Sequence, residues 1–288
     1  MTLWHFEAIG THWEIETEAP LSADLRHAVT RTIDVFDATW SRFRADSVVS
    51  SLRDGGEVAA PPDTTPMLDL YCALGRATAG AVNPLIGGAL EALGYDAAVT
   101  LRAGPAEPAP ADWERRLTWT SSTLTVRAPA TIDVGALGKG RLVDLIAEVL
   151  ADLPGRVIVD AGGDLRVRGG AQRIALEHPY DPASAIGIVE ISGGALCASA
   201  VNRRAWGDGL HHDGLHHVLD AKTGHPVRTW AATWALAADA MHADAIATAL
   251  FFDGAAELAR RWGVDWVRMA TDGRVEHSAG FRGELFVS

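Results

Sequence analysis

Residues 130–164 restrict the fold more than any other part of the chain. An alternating stretch, Ala130-Thr131-Ile132-Asp133-Val134, runs into a glycine-rich turn, Gly135-Ala136-Leu137-Gly138-Lys139-Gly140. Leu142, Ile146, Val149 and Leu153 then share one helical face, and Pro154-Gly155 stops the helix. Residues 156–160 (RVIVD) follow with the apolar run of a buried strand, broken at Gly162-Gly163. Strand, turn, helix and strand in that order require a sheet with a helix packed against it.

The flanking segments decide the class. Residues 9–17 alternate like a strand, 21–43 carry Leu25, Val29, Ile33 and Phe36 at helical spacing, and 66–82 read as a second helix. Short strands are expected near 116–120, 123–127, 173–177, 185–191, 195–199 and 215–219. A strand over 232–238 leads into a helix over 239–252, and a helix near 254–262 precedes strands at 265–270 and 274–278, turned by Asp272-Gly273. Strands outnumber helices and do not alternate with them, which predicts α+β rather than a doubly wound parallel sheet. The Pro- and Ala-rich stretch 103–112 is expected to be a surface loop or a connector between lobes. No internal repeat or linker divides the chain, so residues 1–288 are expected to form one domain.

Composition removes some classes of function. Of 288 residues, 25 are Lys or Arg and 37 Asp or Glu, a net charge of −12 at pH 7. With no basic stretch to reverse this locally, nucleic acid and anionic membrane are poor partners. An anionic cofactor would need a divalent cation or placed backbone N–H groups. Cys72 and Cys197 lie in apolar surroundings and form no Cys/His cluster, which predicts buried free thiols. No apolar run reaches the roughly 20 residues that cross a bilayer. The segment Met1–Glu7 lacks a basic start and a long apolar run, so it is read as neither a signal peptide nor a lipoprotein leader, and a cytoplasmic setting is expected.

Four constellations could carry chemistry. The turn 135–140 can present backbone N–H groups to an anion at a helix N-terminus, with Lys139 in reach of a phosphate oxygen, or it is a tight turn with a solvated lysine. Gly140 follows the lysine, so it is not a Walker loop. Asp244 and Thr248 lie four apart on an apolar helix and share a face, a pairing of hard oxygens that suits magnesium. Alternatively, Thr248 bonds the carbonyl four residues back. Asp239 reads as the start of that helix. His217 is one candidate for proton transfer, but His211, His212, His216 and His225 crowd the same region, and a histidine-rich surface loop is the alternative. Ala161-Gly162-Gly163-Asp164 allows a close backbone approach, with Asp164 suited to capping the turn.

Taken in order, these segments resemble the ApbE family of flavin transferases. Gly10-Thr11 with Trp13 is similar to its opening G-T strand, and Trp40 through Ser47 stands where it has a serine, a tyrosine and a D-S pair. Asn83-Pro84-Leu85-Ile86-Gly87 resembles D-P-x-x-G, and Ile132 through Gly140 with Asp144 resembles I-D-L-G-G-x-x-K-G-x-x-x-D. Gly162-Gly163-Asp164, then His217-x-x-Asp220-x-x-Thr223-Gly224-x-Pro226, then Ala243 through Leu250 resemble G-G-D, H-x-x-D-P-x-T-G-x-P and A-D-A-x-x-T-A-L.

The resemblance implies an α+β fold of two lobes, mixed or antiparallel sheets flanked by helices, with FAD between the lobes. It implies magnesium on Asp244, Thr248 and a carbonyl of the glycine loop, best matched by Ala136. Lys139 and the N–H groups of Gly138 to Gly140 would hold phosphates, and Phe43, Asn83, Gly163, Asp164, Asp220 and Thr223 would line the flavin nucleotide. Asp244 and His217 would be catalytic, His217 taking the proton of an acceptor threonine on a separate flavoprotein with a D-G-x-x-[ST]-like motif. Magnesium-dependent FAD hydrolysis and FAD binding without turnover are the other readings. The chain departs from the pattern at Phe43 (tyrosine), Asn83 (aspartate), Ala221 (proline) and Ala198-Ser199-Ala200 (T-S-G).

Overall fold

The structure is a computed structural model and describes residues 1–202, 205–206 and 214–286. A hairpin of β1 (Thr2–Ala8) and β2 (Thr11–Thr17) opens the chain. Next come α1 (Ala23–Trp40), α2 (Val48–Ser51), β3 (Gly56–Ala59), α3 (Thr64–Ala77), α4 (Gly87–Ala92) and α5 (Trp113–Arg116). The middle holds β4 (Leu117–Trp119), β5 (Thr123–Val126), α6 (Gly138–Val149), β6 (Val157–Asp160) and β7 (Asp164–Arg168). A long hairpin of β8 (Gln172–His178) and β9 (Asp181–Ile191) leads to β10 (Gly194–Ala200). The short strands β11 (Ala205–Trp206), β12 (Leu215–His216), β13 (Leu219–Asp220) and β14 (His225–Pro226) follow. The chain closes with β15 (Trp230–Ala237), α7 (Ala240–Ala249), α8 (Ala255–Trp262), β16 (Asp265–Ala270), β17 (Val275–His277) and β18 (Gly283–Leu285).

Eight strands form the central sheet in the order β1-β2-β6-β7-β10-β15-β16-β17. Its neighbours are antiparallel throughout, as are those of the β18-β9-β8 and β3-β5-β4 sheets. Antiparallel sheets with helices on one face make the fold α+β, as expected. Successive residues of β6 and β10 point to opposite faces. Val159 and Cys197 join the large core with Val29, Ile33, Ile146 and Ile246 from α1, α6 and α7. Ile158 and Leu196 face the other way, onto Leu176, Ile186 and Val189 of the β8–β9 hairpin. Helix α7 is buried almost all round, which is why its sequence is apolar without a polar face.

Three expectations need correcting. Residues 130–134 are not a strand. Ile132 and Val134 are buried, as the alternation predicts, but the backbone makes isolated bonds, Ala130 N–H to the Arg53 carbonyl and Asp133 N–H to the Pro84 carbonyl. Periodicity reports burial, not pairing. The strand read at 215–219 is two strands, β12 pairing β11 and β13 pairing β14. The strand read at 9–17 begins at Thr11, after a turn in which Ile9 and Gly10 both have positive φ.

Candidate functional site

The glycine-rich turn packs directly on α7. Glycine 140 donates its N–H to Asp244 Oδ2 at 2.9 Å, so that N–H does not go to the Ala136 carbonyl four residues back. A Cβ at Gly140 would lie 2.3 Å from the Ala240 carbonyl oxygen and 2.7 Å from Asp244 Cβ, so only glycine permits this approach. Asp144, one turn further along α6, accepts the N–H groups of Ala240 and Met241, both at 2.9 Å, and so caps α7 from outside. Burial raises the Asp144 pKa, although those two N–H bonds oppose the shift. Asp239 caps the same helix through the His242 N–H, as the sequence predicts.

Lysine 139 is partly buried and paired rather than freely solvated. Its ammonium lies 2.5 Å from Asp164 Oδ2 and 3.3 Å from the Ala161 carbonyl oxygen, so α6 is tied to the second glycine turn. Burial acts to lower its pKa, but the carboxylates of Asp164 and Asp244 more than offset this and raise it. Asp164 is fully buried and pairs with Lys139, so it does not cap the turn. The capping group is Asp160, which accepts the Gly163 N–H at 2.9 Å. Cysteine 197 stands opposite Asp164 in the β10–β7 ladder, and burial, then the charges of Asp164 and Asp244, push its thiol pKa well up. The expectation of buried thiols holds for Cys197, whereas Cys72 is only partly buried.

Arg42, Tyr71 and Asp133 hold the first turn from below, and no local pattern marks them for this role. Asp133 Oδ1 accepts the Gly135 N–H at 2.7 Å, and Asp133 Oδ2 pairs with the buried Arg42 at 2.6 Å. Tyr71 donates to the Asp133 carbonyl and accepts the Ala136 N–H. Its pKa is raised by burial first, then by the charge of Asp133. The only available signal was that Arg42 and Asp133 lie inside family segments. Phe43, 37% exposed, packs under the Arg42 guanidinium at 4.1 Å and edge-on to Tyr95 at 5.3 Å.

The remaining residues form a second group. Asp220 Oδ1 accepts the Lys222 N–H, Thr223 Oγ1 accepts the His225 N–H, and both side chains shape the β13–β14 turn. Gly224 has φ +71, and a Cβ there would lie 2.1 Å from the Glu107 carbonyl oxygen. The turn is pinned by bonds between Ala221 and both Ala81 and Ala109. Asn83 is buried and donates to the Pro110 carbonyl while accepting the Leu85 N–H, so both ends of its amide are engaged locally. His217 lies between β12 and β13, and His225 is exposed in β14. His216 is buried, donating from Nε2 to the Val227 carbonyl and accepting the Val218 N–H at Nδ1. Burial lowers its pKa to about 4, so it is a structural histidine and not part of a surface loop. His211 and His212 lie outside the described residues.

The donors around α7 fit a hard cation. Asp244 is buried at 3% exposure, and the partly buried Thr248 lies one turn along the same helix. Thr30, Thr32, Thr39 and Thr78 each give their hydroxyl to the carbonyl four residues back. Among the described residues Thr248 makes no such bond. Carboxylate, hydroxyl and carbonyl oxygens are the ligands magnesium takes.

Fold and site together define a class: an α+β protein with oxygen donors on a buried helix that is clasped to a glycine-rich turn. The ApbE family model matches residues 9–266, and the chain belongs to the ApbE family. It is 26% identical over 308 residues to the FAD:protein FMN transferase of Rhodobacter capsulatus, covering 97% of this chain and 57% of that protein. The chain thus spans little more than half the length of that relative. It is 28% identical to the FAD:protein FMN transferase of Treponema pallidum (strain Nichols), over 82% of this chain and 76% of the other. Among solved structures, the ApbE protein of Thermotoga maritima superposes with a TM-score of 0.84 at 21% identity, covering 96% of this chain and 97% of that one. The flavin transferase ApbE of Vibrio cholerae gives 0.78 at 23% identity, over 97% of each chain. These likenesses show a shared fold.

Proposed function

We propose that this chain is a magnesium-dependent FAD:protein FMN transferase, acting as one domain over residues 1–288 with FAD bound between two lobes. The observation that carries the reading is the buried Asp244 carboxylate, held by the Gly140 N–H beside the Lys139–Asp164 pair. Family membership and the names of the relatives support it. Asp244, Thr248 and the Ala136 carbonyl would hold the metal. Bound there, magnesium supplies charge neutralisation on the pyrophosphate as its P–O bond breaks.

The chain's own groups do the rest. Lys139 has three donors, two of them engaged by Asp164 and Ala161, and the third would reach a phosphate oxygen. Of the N–H groups expected to hold phosphate, Gly138 donates to the Val134 carbonyl and Gly140 to Asp244, so that of Lys139 would be the one to orient a phosphate at the start of α6. The exposed part of the Phe43 ring would contact the flavin. The hydroxyl oxygen of an acceptor threonine attacks the FMN-side phosphorus, the bridging P–O bond breaks, and AMP leaves. His217 would take the hydroxyl proton. Asn83, Gly163, Asp164, Asp220 and Thr223 would line the flavin nucleotide, with Asp220 and Thr223 also shaping the β13–β14 turn.

The acceptor is proposed to be a separate flavoprotein with a D-G-x-x-[ST]-like motif, since this chain contains none. Two free cysteines fit a thiol-reducing compartment, and the proposed setting is the cytoplasm. Among the described residues no helix is long and apolar enough to cross a membrane. The test is to incubate the chain with FAD, magnesium and such an acceptor domain, and to follow FMN mass addition and AMP together. One adduct per AMP is expected. AMP without adduct on any acceptor makes the chain an FAD pyrophosphatase, and tight FAD binding with neither product makes it a flavin carrier.

A further inference from the structure

The β1–β2 hairpin carries a second group of ligating side chains, on the sheet face turned away from the helices. Its register places His5 opposite Glu14 and Glu7 opposite His12. Trp13 and Ile15 point into the helix-covered core, so His12 and Glu14 point outward. His5 Nδ1 lies 3.2 Å from Glu14 Oε2, and His12 Nδ1 lies 3.0 Å from Glu7 Oε1. The two imidazoles stack at 5.4 Å, 22° from parallel. One ligand atom from each of His5, His12 and Glu14 can be chosen so that all lie within 4.8 Å of one another.

We propose that His5, His12 and Glu14 bind one late first-row divalent cation, with Glu7 holding the His12 ring from outside. Two imidazole nitrogens and a carboxylate oxygen are borderline donors that favour zinc, nickel or copper over magnesium. Ligand atoms around a tetrahedral zinc stand roughly 3.3 Å apart, given bonds of about 2.0–2.2 Å. The His5–Glu14 separation already meets this, and small side-chain rotations bring His12 in. Three protein ligands leave a position for water. The site is separate from the oxygen donors of Asp244 and Thr248 and does not depend on the flavin reading. It adjoins the second glycine turn, because Glu14 pairs in register with Asp160 and a Cβ at Gly162 would lie 2.5 Å from Thr11 Oγ1.

Zinc is the probe. Untagged, chelator-stripped full chain is titrated with Zn²⁺ by calorimetry, with magnesium in excess to occupy hard-oxygen sites. One equivalent is expected. His5→Ala, His12→Ala and Glu14→Gln should each weaken binding at least about tenfold, since even outer partners of a metal site are worth 10–100-fold. In the unaltered chain, the imidazole ¹⁵N signals of His5 and His12 should shift together on zinc addition, a readout that does not depend on any variant folding. No zinc bound, equal affinity in all three variants, or unmoved His5 and His12 signals would each overturn the proposal.

Discussion

At the scale of single residues, the site rests on charges and hydroxyls that other groups hold in place. Asp244→Ala removes the carboxylate that Gly140 grips. It should lower FMN transfer at least about 10²-fold while FAD binding weakens far less, because the lost group acts mainly where charge develops. Adduct mass and flavin fluorescence titration measure the two effects separately, and unchanged turnover would remove Asp244 from the metal site. His216 gives a pH prediction. Its pKa falls from 6.5 to about 4 on burial, so the unfolded chain binds the extra proton between those values. Stability from this residue is full above pH 6.5 and is lost as pH falls toward 4, by up to about 3 kcal/mol. Urea unfolding at pH 5 and pH 7 should show a larger loss for the native chain than for His216→Gln. Of the single residues, Asp244, Thr248 and Lys139 were picked out in the sequence by spacing, a glycine turn and motif order, and the structure joins Asp244 to Gly140 and Lys139 to Asp164. Arg42, Tyr71 and Asp133 were not, because their partners are long-range.

At the scale of elements, the contact between α6 and α7 decides whether the site exists. Gly140→Ala would set a methyl against the Ala240 carbonyl and Asp244 Cβ. The helices must then separate, at a cost of about 1–3 kcal/mol for overpacking. The Asp144 caps on Ala240 and Met241 would be strained with them. A lower urea midpoint together with weaker magnesium dependence is expected, and an unchanged midpoint would show that α7 yields freely. The helices were readable because α1 and α6 carry apolar stripes and α7 is flanked by a cap and a strand. The extended segment 130–134 misled, because alternation marks which side chains are buried and says nothing of where the backbone bonds go.

For the whole molecule, the net charge of −12 opposes an anionic dinucleotide. Without magnesium, raising NaCl from about 20 to about 150 mM should tighten FAD binding, because the Debye length shortens to about 8 Å and long-range repulsion is screened. With magnesium present the salt effect should shrink or reverse, as local attraction is screened instead. Flavin fluorescence titration at several salt concentrations checks both. Tighter binding at low salt without magnesium would mean that the FAD site is locally cationic.

The amino-acid order alone determined the class, the main helices, the glycine turns and the family, since these follow from short-range periodicity, backbone freedom and motif order. Which groups meet was decided by the antiparallel sheet, which joins β2 to β6 and β10 to β7 across long stretches of chain. That pairing, driven by burial on both sheet faces, brings Asp164 under Lys139 and Gly140 against Asp244. Contacts between residues far apart in the chain leave no local pattern, so only the folded structure could supply them.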